Sequence, residues 1–228
     1  MTSPASFAES ELVARVRVNL ERLRERVAST GRDPSHVRIV AVTKTFASSH
    51  VRAAVAVGLD AVGENYVDEL CAKRVEVPDV PVRWHYLGAL QSNKIAKVVG
   101  CADVVCGVSR PKEVQRLASS VPHPLYVQVD FTAHVARNGA APTEVADLVA
   151  QARDLGLEVR GLMTVAPLDP ASARAAFSAT RRLVDELGLS ECSMGMSDDL
   201  EIACDEGTSE LRIGRALFGA RDTTTALP

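Results

Sequence analysis

The segment VAVTKT, residues 40–45, opens the series of strands that decides the fold, and it is an apolar strand that ends on a single lysine. A run of this kind buries its backbone and leaves the Lys44 amine at the C-terminal edge of the strand. Desolvation there favours the neutral amine, which is a nucleophile that can form a Schiff base with an aldehyde. The alternative is a structural lysine whose ammonium extends from the rim of a barrel into water.

Further short apolar runs follow along the chain, and helical patterns separate them. Eight strands that alternate with helices predict a parallel sheet, and right-handed crossovers close such a sheet most readily into a (β/α)8 TIM barrel. A doubly wound open sheet is the competitor, but residues 43–47 contain no glycine and so lack its dinucleotide fingerprint. The strands are predicted near 37–43, 60–63, 83–87, 103–107, 124–130, 159–165, 190–194 and 210–213, with helices near 48–58, 65–76, 91–99, 111–120, 142–155, 170–187 and 198–205.

A long amphipathic helix is predicted near 7–29, ahead of the first strand, and Gly31 and Pro34 end it. We therefore expect a barrel with an extra N-terminal helix, in one domain over residues 1–228, with residues 1–6 and 221–228 frayed. Arg22, Arg24 and Arg26 lie among glutamates on this helix, and we expect them to form a solvated face. The apolar stripe of the helix consists of Leu12, Val16, Leu20, Leu23 and Val27.

Composition narrows the class of protein. A chain of 228 residues with 46% hydrophobic content can bury a substantial core. The formal net charge of -3 argues against nucleic acid or an anionic membrane as the main partner. Residues 1–10 lack the features of a signal peptide, and no apolar stretch approaches the ~20 residues that span a bilayer. We expect a soluble cytoplasmic protein, and a monomer because no exposed apolar stripe is apparent.

The five cysteines do not have the spacing of metal ligands, and no C-x-x-C occurs. None of the histidines forms a zinc-type pair, so no metal site is predicted. We expect reduced thiols that are mostly buried as small hydrophobic groups. The cysteines are Cys71, Cys101, Cys106, Cys192 and Cys204.

The parity of the first strand places its lysine. Side chains alternate along a strand, so Val40, Val42 and Lys44 share one face, and Ile39 and Ala41 share the other. If the first set faces the barrel axis, Lys44 lies at the C-terminal end of the barrel. Enzymes of this fold carry out their chemistry at that end.

An anion site is predicted after strands 7 and 8. The segments SMGMSD (193–198) and LRIGRA (211–216) each follow a strand and open a helix, where barrels often bind phosphate. Gly195 allows close approach of the backbone to a ligand, and Ser197 or Asp198 can cap the following helix. Ordinary turn glycines with a capping serine would explain either segment alone. Both segments in the expected places favour phosphate.

Three further polar residues have two interpretations each. An inward Arg212 must be paired, either with a strand carboxylate or with a ligand ring nitrogen, because an isolated buried guanidinium is very costly. Asn65 could donate to a phenolic oxygen beside an aldehyde, or it could cap the helix that it starts. His85 could line a site, or it could be a hydrogen-bonded core histidine.

Six segments in fixed order carry a resemblance to a known family. They resemble the pyridoxal-phosphate homeostasis proteins, which share the barrel of the alanine racemase N-terminal domain, and the resemblance covers nearly the whole chain. The segments are AVTKT (41–45), GENYV (63–67), WHYLGALQSNK (84–94), GLM (161–163), SMGMSDD (193–199) and RIGRALFG (212–219).

The resemblance implies pyridoxal 5'-phosphate (PLP) as the cofactor. It implies that Lys44 carries PLP as a Schiff base, that Asn65 lies near the phenolic oxygen, and that Arg212 faces the pyridine nitrogen. His85 would line the pocket. The phosphate would be held, chiefly by backbone N–H groups, at Ser193, Met194, Gly214 and Arg215.

The chain departs from the family pattern in two places. Ala47 stands where family members often have proline. The loop after strand 5 carries Asp130, His134, Arg137 and Gly139 in place of a common Asn…Glu…Lys-x-Gly pattern. We therefore carry over to residues 130–139 no family role in releasing or receiving cofactor.

Three functions are compatible with the sequence. The favoured one is a carrier that buffers or delivers PLP in vitamin B6 homeostasis without turning over a substrate, with apo-PLP enzymes as recipients and no catalytic residue. The second is a PLP-dependent amino-acid racemase, but the nine residues after Gly219 leave no room for the β-domain that supplies an opposing base. The third is a cofactor-free Schiff-base aldolase, which gives Arg212 and Asn65 no role.

Overall fold

Eight parallel strands form a closed barrel in the order of the chain, and the last strand pairs with the first. The structure is a computed structural model that describes residues 4–120, 123–132 and 138–220. The predicted TIM barrel is therefore confirmed, whereas the loop residues His134 and Arg137 and the tail at 221–228 lie outside the described residues. The strands are β1 Arg38–Val42, β2 Ala61–Glu64, β3 Arg83–Tyr86, β4 Val104–Val108, β5 Leu125–Val129, β6 Val159–Thr164, β7 Glu191–Ser193 and β8 Glu210–Ile213.

Helices cover the outside of the barrel and include the predicted extra helix at the N-terminal end. Short 3-10 turns at Pro34–His36 and Pro142–Glu144 precede β1 and α6. The helices are α1 Pro4–Ser29, α2 Ser49–Ala56, α3 Val67–Glu76, α4 Ile95–Cys101, α5 Pro111–Ala118, α6 Val145–Asp154, α7 Pro170–Glu186, α8 Leu200–Asp205 and α9 Arg215–Phe218.

The parity predicted for β1 is confirmed. Ile39 and Ala41 belong to the apolar layer between the barrel and the helices. Val40 faces the interior, because a Cβ built on Gly63 of the next strand would lie 3.1 Å from Val40 Cγ1. Since alternate residues share a face, the same geometry turns Lys44 toward the barrel axis.

Helix α1 packs against α2, α8 and α9, and its predicted apolar stripe is buried. The expectation of a solvated arginine face is wrong for Arg26. Its guanidinium bonds both carboxylate oxygens of Glu201, at 2.6 and 2.8 Å, and donates to the carbonyl of Ser197 at 3.0 Å. Helix α1 is thereby joined to the loop between β7 and α8.

The expectation of five reduced thiols is also wrong in this structure, because Cys71 and Cys101 form a disulfide between α3 and α4. Neighbouring helices of the barrel bring the two residues together although 30 positions separate them. Cys106, Cys192 and Cys204 are free and buried, as predicted.

In the described part of the chain, no helix is long and apolar enough to cross a membrane. The same residues contain no group of three or more histidine, cysteine or acidic side chains arranged to hold a metal ion.

Candidate functional site

A cavity of about 350 Å³ lies at the C-terminal end of the barrel. Five of the eight residues that the sequence singled out line it, although they come from distant parts of the chain. The strand order of a parallel barrel explains this, because the residues that follow every strand meet at one end. The five are Lys44, Asn65, Arg212, Gly214 and Arg215.

Lys44 lies two residues after Val42, the last residue of β1. It lines the cavity and is partly buried. Its inward position follows from the alternation of β1, since Val42 lines the cavity directly below it. The sequence interpretation considered complete burial of Lys44 as the limit at which its pKa would fall most. The structure shows partial burial, with the side chain at the boundary between the barrel interior and the cavity.

Arg212 extends from β8 into the cavity and is only 5% exposed. Its guanidinium donates to the carbonyl and hydroxyl of Ser193, at 2.7 and 2.9 Å, and to the carbonyl of Thr164 at 2.7 Å. Of the five N–H bonds of an arginine, two are left without an acceptor among the described residues. These remaining donors can serve an acceptor in the cavity. Burial lowers the pKa of Arg212, and the charge of Glu210 opposes that shift.

A polar column runs from Arg212 into the barrel interior. The Ser193 hydroxyl donates to Glu210 Oε1 at 2.7 Å, and Arg38 lies 3.5 Å from the other Glu210 oxygen. Arg38 also donates to Glu191 at 2.8 Å. Two carboxylates and two guanidinium groups thus compensate one another inside the barrel, as buried charges require.

The sequence interpretation missed this column, although strand parity contains a pattern that could have found it. Glu210 and Arg212 alternate on β8, and Glu191 and Ser193 alternate on β7. Each pair therefore shares the inward face of its strand. Arg212 forms no salt bridge with a strand carboxylate among the described residues, and the Ser193 hydroxyl instead links it to Glu210.

The start of α9, directly after β8, offers backbone donors to the cavity. The N–H groups of Leu217 and Phe218 donate to the carbonyl of Gly214, at 3.0 and 2.9 Å, and that of Ala216 donates to the Ser197 hydroxyl at 3.1 Å. The amides of Gly214 and Arg215 keep no protein acceptor within the described ranges. Exposed first-turn amides of this kind are suited to an anion.

The predicted caps of α8 need correction. The helix begins after Asp199, whose carboxylate accepts from the N–H of Met196 at 2.5 Å. Ser197 instead accepts from Ala216, and Asp198 forms an ion pair with Arg215. The two predicted capping residues therefore connect the loop after β7 to α9.

Three of the predicted site residues do not line the cavity. Ser193 is buried behind Arg212. Met194 alternates with Ser193 and packs into the outer apolar layer, and its N–H donates to the carbonyl of Glu210 at 3.1 Å. That amide is consequently not available to a phosphate, and the assignment of Met194 is corrected.

His85 is likewise displaced from the predicted place. It is 1% exposed in the barrel interior, with Nδ1 3.7 Å from the sulfur of Cys106. Leu87, two residues further along, takes the position at the cavity. Burial lowers the pKa of His85, which favours the neutral ring. The core alternative therefore describes His85 better.

The remaining walls of the cavity are mainly apolar, and apart from Val42 the sequence interpretation did not assign them to a site. Inward parity could have identified Met163 on β6, whereas the loop residues carry no periodic pattern. These walls exclude water from an amine and a guanidinium, which strengthens electrostatic interactions between the cavity and a bound ligand. They include Val42, Phe46, Leu87, Met163, Val165 and Ala166.

These donors fit PLP on the chemistry of the site itself. An amine can meet an aldehyde, unused guanidinium N–H bonds can meet a ring-nitrogen acceptor, and two amides can meet a phosphate. Asn65 lines the same cavity and can donate to a phenolic oxygen. Lys44, Asn65, Arg212, Gly214 and Arg215 would hold the cofactor.

Gly195 shapes the loop after β7, and we expect Gly195→Ala to destabilise the fold by about 2 kcal/mol or more. Its φ is +96°, and an added Cβ would lie 2.5 Å from Ala203 Cβ and 2.7 Å from Leu211 Cδ2. Urea unfolding measures the change. Gly100→Ala is the matched control, because a Cβ there meets nothing within 4 Å and α4 should gain up to ~1 kcal/mol of stability. Equal effects of both changes would contradict the role given to Gly195.

Comparison with known proteins shows the family of the chain. A family model described as alanine racemase, N-terminal domain, matches residues 13–222. The pyridoxal phosphate homeostasis protein of Pseudomonas aeruginosa is 42% identical over 211 residues, which cover 88% of this chain and 92% of that protein. The protein of the same name from Deinococcus radiodurans is 36% identical and covers 87% of this chain and 97% of its own length.

Solved structures show the same barrel. PipY of Synechococcus elongatus with PLP bound is 33% identical, with a TM-score of 0.78, and the match covers 90% of this chain and 100% of PipY. Alanine racemase from Bartonella henselae, at 17% identity and a TM-score of 0.73 over 93% of this chain and 61% of that one, shows the fold alone. The chain belongs to the pyridoxal phosphate homeostasis protein family, whose barrel is that of the alanine racemase N-terminal domain.

Proposed function

We propose that this protein binds PLP in the cavity at the C-terminal end of the barrel and takes part in PLP homeostasis. Lys44 holds the cofactor as a Schiff base, and the protein buffers or delivers it without turning over a substrate. The observation that carries the proposal is the meeting of the Lys44 amine, the Arg212 guanidinium and the Gly214 and Arg215 amides around one cavity. The bound PLP of PipY, a relative 33% identical, supports it.

Arg212 determines how the cofactor can act. When bound, PLP supplies an aldehyde and an electron-withdrawing ring. A guanidinium at the ring nitrogen keeps that nitrogen unprotonated, since two adjacent positive charges repel each other. Arg212 therefore weakens the ring as an electron sink, an arrangement that is compatible both with a carrier and with a racemase-like enzyme.

The acidic groups at the cavity hold the loop after β7. Asp198 forms an ion pair with Arg215, and the Asp199 carboxylate accepts from a backbone N–H. The carrier proposal assigns these two carboxylates no catalytic role.

We propose further that one copy of the chain binds one PLP, because a single chain supplies the residues that surround the cavity. Apo-PLP enzymes would be the recipients. We also propose a cytoplasmic location, where Cys71 and Cys101 would be kept as adjacent thiols. Alkylation of these cysteines in freshly lysed cells tests the location, since a fully oxidised pair would contradict it.

Borohydride reduction of the protein loaded with PLP tests the proposal. We expect a yellow protein, one PLP per chain, and a reduced adduct on the peptide that contains Lys44. An adduct on another lysine would refute the site. Incubation of the loaded protein with single L-amino acids, followed by chiral chromatography, tests whether the protein turns over a substrate. Substantial racemisation would replace the carrier with a racemase-like enzyme.

A further inference from the structure

A cluster of charged side chains lies beside the backbone that carries Lys44. Glu64, at the end of β2, has a side chain that is 0% exposed, and Lys73 of α3 is 6% exposed. The Lys73 ammonium uses its three N–H bonds on Thr43 O at 2.6 Å, Glu64 Oε1 at 2.7 Å and Glu69 Oε1 at 2.7 Å. Two carboxylates thus share one ammonium behind the cavity wall.

The cluster holds the residues on both sides of Lys44. The Thr43 hydroxyl donates to Glu64 Oε1 at 2.6 Å. The backbone N–H of Thr45 donates to Glu69 Oε1, also at 2.6 Å. With the bond from Lys73 to the Thr43 carbonyl, two charge-assisted bonds fix the backbone before and after the lysine, and a third fixes the Thr43 side chain.

The backbone at Thr45 is strained. Its φ is +64°, and among the described residues it is the one non-glycine with a positive φ. A β-branched residue in this region is an outlier that persists only where its surroundings hold it. The bond from its N–H to Glu69 is such a restraint, and it lies one residue from Lys44.

We propose that Glu64, Glu69 and Lys73 are positioning residues that direct the Lys44 amine at the bound cofactor. This inference rests on the proposed function, because it concerns the same lysine. It assigns no contact between the cluster and PLP. The cluster acts through the main chain at Thr43 and Thr45.

The cluster also makes the positioning dependent on pH. Burial raises the pKa of Glu64 to about 7, and Lys73 and then Thr43 oppose the shift. Oε2 of Glu64 is buried without a partner in the described part of the chain. The charged groups that act on Glu64 are Lys73 and Glu69 of α3. Thr43, directly after β1, contributes its hydroxyl, and Leu87, after β3, donates its N–H to the Glu64 carbonyl.

Protonation of Glu64 as the pH falls through about 7 removes one of the two negative charges that hold Lys73. Glutamine is a neutral isostere of the protonated carboxyl group. The wild type should therefore resemble Glu64→Gln at low pH and differ from it at high pH.

The positioning role is tested by titrating PLP into the full-length protein at pH values from about 6 to 8 and following the absorption of the bound cofactor. At pH 8 we expect Glu64→Gln and Glu69→Gln each to bind PLP about five- to tenfold more weakly, because a neutral acceptor replaces a charged one. At pH 6 the difference between Glu64→Gln and the wild type should disappear. The rate of borohydride trapping at Lys44 should follow the same pattern.

Glu113→Gln is the matched control. Glu113 is a buried carboxylate that accepts the N–H groups of Ser109 and Arg110 after β4, so it holds a different strand end in the same way. It should leave the affinity for PLP unchanged at each pH. Unfolding in urea separates folding from positioning. Because burial raises the pKa of Glu64 from 4.5 to about 7, the wild type should lose stability as the pH rises from about 4.5 to about 7, and Glu64→Gln should gain stability relative to it over that range.

Unchanged affinity and an unchanged pH profile in both glutamine variants would overturn the positioning role and leave the proposed function intact. An equal loss in Glu113→Gln would also overturn it, because any buried carboxylate would then suffice. Failure of the wild type itself to form an adduct at Lys44 would instead overturn the proposed function.

Discussion

Lys44→Ala should abolish the visible absorption of the protein loaded with PLP and leave the fold intact. The cavity wall around the lysine consists of other side chains, so we expect the free energy of unfolding to change by less than about 1 kcal/mol. The phosphate donors at Gly214 and Arg215 are backbone groups that the substitution does not alter. Weak non-covalent binding of PLP should therefore remain. Absorption spectra with and without PLP, and circular dichroism for the fold, measure both effects.

Lys112→Ala is the control for Lys44→Ala, because Lys112 is an exposed lysine of α5 that does not line the cavity. It should keep the absorption and the borohydride adduct of the wild type. A Lys44→Ala protein that stays yellow and forms an adduct elsewhere would show that the Schiff base belongs to another lysine. If Lys44→Ala loses the circular dichroism of a folded protein, Lys44→Met replaces it in the same experiment, because methionine keeps the apolar part of the side chain.

Glu210→Ala should lower the free energy of unfolding by about 3–5 kcal/mol, the usual effect of removing one partner of a buried charged network. Glu210 is 0% exposed. Its loss would remove the nearby carboxylate charge that compensates the buried Arg212 guanidinium, whose direct acceptors are one hydroxyl and two carbonyls. Ser193 would also lose its acceptor. Urea unfolding measures the change, and a weaker affinity for PLP should accompany it, because Arg212 would lose its fixed position.

Asp205→Ala is the comparison for Glu210→Ala. The Asp205 carboxylate lies 2.8 Å from Arg174, and the two side chains are 40% and 50% exposed. Solvent screens such a pair, so the change should be within about 1 kcal/mol. Similar small effects of both substitutions would mean that Glu210 does not compensate the charge of Arg212.

The barrel could be predicted from the sequence because its pattern is local. Each strand is a short apolar run, and the helices carry local capping and terminating residues. Helix α7 shows this well, since Asp169 accepts from Ser172 N–H at 3.0 Å and Gly188 follows the helix with a φ of +58°. The position of Lys44 followed from the same local rule, the alternation of side chains along β1.

The errors concern contacts between distant segments. Whether Cys71 meets Cys101 depends on which faces of α3 and α4 oppose each other, and no local pattern states this. The resemblance implied that His85 lines the pocket, whereas it lies deeper in the barrel interior. Strand parity could not choose between its two alternatives, because parity gives the direction of a side chain and not its height in the barrel. Arg26 was taken as solvated since Glu201, its partner, lies 175 residues away.

Helix α1 has a mechanical consequence for the closed sheet. It contacts α2, α8 and α9. From this helix, Asn19 donates to the carbonyl of Leu217 at 2.9 Å, and Arg26 donates to the carbonyl of Ser197 in the loop after β7. The seam between β1 and β8 is where the first and last strands of the chain meet in the barrel. With α1 lying across the helices on both sides of that seam, opening it requires the helix to detach first, so the earliest and latest parts of the chain should loosen together as one cooperative unit.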